Sequence, residues 1–153
     1  MSCKASKSTL AVRASIESDT QHGAVVPPLH LSSNFAFAGF GEKREYDYTR
    51  SGNPTRDALA EALSELEGGK GAVVTSSGMA ALTLLTQFLK PGDTIIAPHD
   101  CYGGTFRLFE QQSKKGLFNV EFVDQSDDDA LRAACALNPK IILTETPSNP
   151  LLR

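Results

Sequence analysis

From Asn53 onward, short apolar β-branched runs alternate with stretches of helical length, and that alternation leaves few folds open. The runs are Gly71-Ala-Val-Val-Thr75, Thr94-Ile-Ile-Ala97, Asn119 to Asp124 and Lys140 to Thr146. Between them lie Gly78 to Leu89, Thr105 to Lys114 and Asp127 to Asn138, each with apolar residues at helical spacing. Strands separated by helices cannot pair as hairpins. They predict a mainly parallel sheet with helices on both faces and right-handed crossovers.

Terminal signals agree with this reading. Asn53-Pro54 gives an N-cap and a proline at the first helical position, and Leu59, Ala62, Leu63 and Leu66 form an apolar stripe that runs until Gly68-Gly69. Lys90-Pro91-Gly92 closes the next helix, which carries no internal breaker. Phe106 and Phe109 mark the apolar side of Thr105 to Lys114. Asp127-Asp-Asp129 places negative charge at a helix start, followed by a buried face of Leu131, Ala134 and Cys135.

Residues 1–52 differ in kind and read as an extended N-terminal arm, with 53–153 as the start of a larger α/β domain. A short amphipathic segment is expected around Thr9 to Ile16, and Pro27-Pro28 forbids helix or interior strand after it. Phe35, Phe37 and Phe40 on such an arm need apolar partners, either on another subunit or on the chain's own body. Tyr46, Tyr48 and Arg50 share one face if that segment is extended, as an anion clamp or as a solvated loop.

In open parallel sheets ligands gather beyond the carboxyl ends of the strands. The unusual polar residues lie there: Ser76-Ser77-Gly78, His99 to Gly104, and Glu145 with Asn149. A turn into a helix at Ser77-Gly78 presents backbone N–H groups that lack intrahelical partners, so it is either a phosphate seat or a plain serine-capped junction. It lacks both the P-loop lysine and the glycine spacing of a dinucleotide fingerprint.

The remaining composition bounds the reading. A net charge of −3 gives no basic excess for nucleic acid, and no run is long and apolar enough for a membrane span. Cys3, Cys101 and Cys135, and His22, His30 and His99, have neither disulfide-framework nor metal spacing, which suits reduced thiols in the cytoplasm and no metal. Cys101 reads as a structural thiol.

Six motifs carry a resemblance to a known family: Val26 to Ser33, Tyr48-Thr-Arg50-Ser-Gly-Asn-Pro-Thr-Arg56, Ser77-Gly-Met79, Lys90-Pro-Gly-Asp93, Asp100-Cys-Tyr-Gly-Gly104 and Glu145-Thr-Pro-Ser-Asn-Pro150. In this order they resemble the N-terminal part of the pyridoxal-phosphate-dependent enzymes of Cys/Met metabolism, and most of all their cystathionine gamma-synthase group. The beta-lyases, gamma-lyases and sulfhydrylases share most of these motifs. The resemblance implies an incomplete large domain of a fold-type I, aspartate aminotransferase-like transferase, working as a dimer of dimers on small amino-acid substrates.

By the same resemblance, Ser77, Gly78 and Met79 would hold the cofactor phosphate, and Tyr48 and Arg50 would reach the phosphate of a neighbouring subunit. Tyr102 would stack on the pyridine ring and assist proton transfer. Asn149 would bond the ring's phenolic oxygen, with Glu145 in support. The implied reaction is γ-replacement: O-succinylhomoserine loses succinate from Cγ and the thiol of cysteine adds there, giving cystathionine. The family's Schiff-base lysine sits in a Ser-x-x-Lys-type context and its ring-nitrogen acid in an Asp-Asn-Thr-type context. Neither context occurs here, and none of the lysines at 4, 7, 43, 70, 90, 114, 115 and 140 fits. The expectation is therefore the first two-fifths of such an enzyme, inactive and prone to aggregate alone.

Overall fold

The computed structural model describes residues 5–152, which fall into two compact units divided after Val74. Cys3 and Lys4 lie outside the described residues.

The first unit holds α1 (Lys7–Arg13) and α2 (Pro54–Glu67), joined by a long irregular segment. Ser6 caps α1 by accepting from the Thr9 N–H. The helix ends before the expected Ile16. Asn53 caps α2 by accepting from the Thr55 N–H, and Gly68 ends it in the left-handed region at φ 66°, a conformation glycine adopts without a Cβ clash. Asn53 is buried, and its amide donates to the His30 carbonyl at 3.0 Å and to Thr49 Oγ1 at 2.8 Å, tying the irregular segment to the helix start.

The expected apolar stripe of α2 is not buried. Leu59 and Leu63 are 49% and 43% exposed, and Leu59 lines an open groove of about 1320 Å³ that also borders α1 and Pro28. Among the arm aromatics, Phe35 packs on Tyr46 with ring centroids 5.5 Å apart, whereas Phe37 and Phe40 are exposed.

The second unit holds α3 (Gly78–Thr86), β1 (Thr94–Pro98), α4 (Gly103–Lys114), β2 (Asn119–Val123), α5 (Asp128–Cys135) and β3 (Ile141–Ile142). The sheet order is β2-β1-β3, with both pairs parallel. Register runs from Thr94 against Asn119 to Pro98 against Val123, and Ile95 and Ile96 face Ile141 and Ile142. β1 is the central strand and buries four of its five residues, as a near-continuous apolar run in a parallel sheet should. Ile95, Ala97, Phe109 and Phe118 make the core, with Phe109 set edge-on to Phe118. Phe106, on the same helix, lies against Phe122 at 4.5 Å.

Five expectations need correcting. Residues 71–75 are not a strand; among the described residues they pair with no neighbour, and a β-branched run without a partner has no ladder to join. The last strand is two residues long instead of seven, because only β1 lies beside it and pairing stops after Leu143 donates to the Ile96 carbonyl. α3 stops at Thr86, three residues before Leu89, and α4 begins at Gly103, so both glycines of the Gly103-Gly104 pair are helical. Cys135 is exposed, leaving Ala134 as the buried residue of α5. No described helix is long and apolar enough to cross a membrane. The peptide bonds before Pro147 and Pro150 are cis.

Candidate functional site

The turn into α3 is built by serine capping. Ser77 adopts an extended backbone, and its hydroxyl accepts from the Ala80 N–H at 3.1 Å. Its carbonyl accepts from Thr75 Oγ1 at 2.9 Å, which fixes the approach to the helix. Among the described residues, the N–H groups of Gly78 and Met79 have no acceptor. They are the first donors of the helix and point along its positive end. A Cβ placed on Gly78 would meet nothing within 4 Å, so the space beside these donors is open.

Tyr102 reaches the same place by another route. It is the residue before α4 and caps that helix with its backbone alone, leaving the ring 47% exposed. The ring lies over Gly104, where an added Cβ would collide with it and would stand 3.0 Å from Met79 Sδ. Gly104 therefore lets Tyr102 and Met79 converge. That convergence places the tyrosine ring beside the first turn of α3.

The end of β3 supplies the next element. Glu145 Oε2 accepts the Tyr102 N–H at 3.1 Å, and Ser148 donates its hydroxyl proton to Asp100 Oδ2 at 2.8 Å. Ser148 is 2% exposed. Cys101, between these contacts, is buried; burial, and then the negative charge of Glu145, hold its thiol above the ordinary range. A thiol kept protonated is a poor nucleophile, in agreement with its structural reading. Asn149 is exposed and its side chain makes no hydrogen bond among the described residues. His99 Nδ1 stands 4.0 Å from Asp124 Oδ1 at the ends of β1 and β2.

In the first unit, Tyr48 and Arg50 come together: Arg50 donates to the Tyr48 hydroxyl at 3.4 Å, with its guanidinium carbon 5.2 Å from the ring centroid. Tyr46 does not share their face. Burial, followed by the neighbouring Asp57 carboxylate, pushes its phenol up to about 12. The segment turns at Thr49 and Arg50 instead of staying extended, which breaks the period-two alignment.

Asp100 and Ser148 were not legible as a pair. They lie 48 residues apart, and only the rule that strand ends converge could have brought them together.

The sequence model of the family described as Cys/Met metabolism PLP-dependent enzyme matches residues 8–153. The chain belongs to this family. It is 59% identical over 148 residues to cystathionine gamma-synthase of Escherichia coli K12, covering 96% of this chain and 38% of that protein. Cystathionine beta-lyase of Lactococcus lactis subsp. cremoris is 42% identical over 145 residues, 95% of this chain and 38% of that protein. Among solved structures, cystathionine gamma synthase from Xanthomonas oryzae pv. oryzae in complex with cystathionine superposes with a TM-score of 0.93 at 58% identity, covering 99% of this chain and 39% of that one. The chain thus spans about two-fifths of the length of these family members, and its α/β unit with a parallel sheet is a partial domain of their fold.

Proposed function

We propose that the second unit carries the phosphate and ring seat of a pyridoxal-phosphate enzyme, and that the whole protein makes cystathionine from an acylated homoserine and cysteine. The observation that supports this most is the meeting of Tyr102 and Met79 over Gly104, beside the unpartnered N–H groups of Gly78 and Met79. An open helix N-terminus suits a phosphate dianion, and a half-exposed tyrosine face suits an electron-poor heteroaromatic ring. The residues therefore fit the cofactor. Higher identity to the gamma-synthase than to the beta-lyase favours γ-replacement over β-elimination; the proposed ester is O-succinylhomoserine.

When bound, pyridoxal phosphate supplies an electron sink for carbanions next to the amino group. The chain's own residues would do the rest of the holding. Gly78 and Met79 donate to phosphate oxygens, with the Ser77 hydroxyl in reach of the same end. Tyr102 fixes the ring plane and holds a proton at its phenolic oxygen. Glu145 fixes the Tyr102 backbone, and Asn149, on the same segment, donates to the ring's phenolic oxygen. Tyr48 and Arg50 act on the phosphate of a neighbouring copy within a homo-oligomer, a dimer of dimers, with residues 1–52 as the arm that reaches it and 53–153 as the start of the large domain. No lysine here serves as the Schiff-base residue. The enzyme is cytoplasmic.

Titration of the chain with pyridoxine 5′-phosphate, pyridoxine and inorganic phosphate tests the seat without requiring a lysine. The phosphorylated vitamer should bind at least about tenfold more tightly than pyridoxine, since charge-assisted hydrogen bonds contribute about 1.5–3 kcal/mol each. Equal affinity for the two would remove the phosphate seat. With pyridoxal phosphate itself, borohydride should fix no pyridoxyl group specifically on one lysine; a single labelled lysine would overturn that assignment.

A further inference from the structure

We propose that Asp100 and Ser148 are positioning residues that hold Tyr102 in its ring-stacking place, an inference that rests on the seat described above. Two hydrogen bonds join the loop after β1 to the segment after β3. Ser148 donates to Asp100 at 2.8 Å, and the Tyr102 N–H donates to Glu145 at 3.1 Å. The contacts pair residue 100 with 148 and residue 102 with 145, so the two segments run in opposite directions and are fastened at two points. Only the first is shielded, because Ser148 is 2% exposed whereas the Tyr102 to Glu145 bond is open to water. A partly shielded hydrogen bond to a carboxylate is the stronger of the two, and losing Ser148 removes this donor from the half-buried Asp100 carboxylate.

Tyr102 needs such support. Its side chain makes no capping bond, and Gly104 beneath the ring offers no Cβ to lean on. The ring's place over Gly104 and beside Met79 therefore depends on its backbone, which Glu145 and the Asp100 anchor two residues earlier hold. Releasing Ser148 should free the loop while leaving the Gly78 and Met79 donors unaffected.

The 153-residue chain serves for the test. Ser148→Ala removes the donor, Ser148→Thr keeps it, and Asp100→Asn keeps an acceptor but not the charge; the last stands in if Ser148→Ala fails to fold. Amide exchange at residues 100–104 should quicken about tenfold in Ser148→Ala, less in Asp100→Asn, and stay near wild type in Ser148→Thr. Affinity for pyridoxine 5′-phosphate should fall about tenfold in Ser148→Ala, while that for inorganic phosphate changes less than about twofold. Unchanged exchange overturns the proposal. Equal loss for both ligands also overturns it, since that reports general loosening. Tyr102→Ala separates the two layers: if it leaves pyridoxine 5′-phosphate affinity unchanged, the stacking reading fails, while the exchange data still judge the latch.

Discussion

Single side chains in this molecule take their roles from what neighbours leave unsatisfied. Tyr46 shows this in the first unit. Period-two spacing predicts that it joins Tyr48 and Arg50, but Tyr46 packs on the Phe35 ring near the Asp57 carboxylate, while Tyr48 and Arg50 pair with each other. Burial and Asp57 both favour the neutral phenol, which raises its titration to about 12 from 10.0. A raised pKa means that the stability from this contact is complete below pH 10 and is lost as pH rises toward about 12. Ultraviolet titration should show the most alkaline phenolate step vanish in Tyr46→Phe, and the variant's stability should lose its decline across that window. A titration unchanged by the substitution would mean that Tyr46 is not so held.

At the scale of elements, helix starts were the most legible feature and strand extents the least. Asn53-Pro54, Ser77 and Asp127 each place a side-chain acceptor where the first N–H groups need one, and each caps its helix. Strands require a partner, and sequence does not show which partners are present. Residues 71–75 and most of 140–146 carry the right residue types yet have little or no ladder. The Ser77 turn into α3 was readable because it is local; the Asp100 to Ser148 bridge was not, because it spans two loops. Gly104 joins the two kinds of feature. Alanine there would gain about 1 kcal/mol in helix propensity but would strike the Tyr102 ring and crowd Met79. Overpacking of this kind costs about 1–3 kcal/mol, so Gly104→Ala should lower the melting temperature and pyridoxine 5′-phosphate affinity together. A higher melting temperature with full affinity would show that the two side chains do not converge.

Over the whole molecule, apolar burial is concentrated in one unit. Ile95, Ile96, Ala97, Cys101, Phe109, Phe118 and Ala134 are the buried apolar residues among those described, and all lie in residues 75–153. In the first unit Asn53 is the buried residue, and Val25, Val26, Leu29, Leu31 and Phe40 stand exposed. Without apolar burial there is little to oppose conformational entropy. Hydrogen exchange should therefore find the strongest protection in β1, α4 and β2 and rapid exchange through residues 17–52; equal protection in both units would contradict that distribution. The exposed apolar residues also agree with the expected tendency to aggregate. The start of α3 and Tyr102 are proposed to form one phosphate-and-ring seat. The most direct test is amide nuclear magnetic resonance of the labelled chain during addition of pyridoxine 5′-phosphate. The Gly78 and Met79 N–H signals should move downfield as they gain an acceptor, with the Tyr102 ring signals shifting at the same ligand concentration. Shifts confined to other residues, or none at Gly78 and Met79, would contradict it.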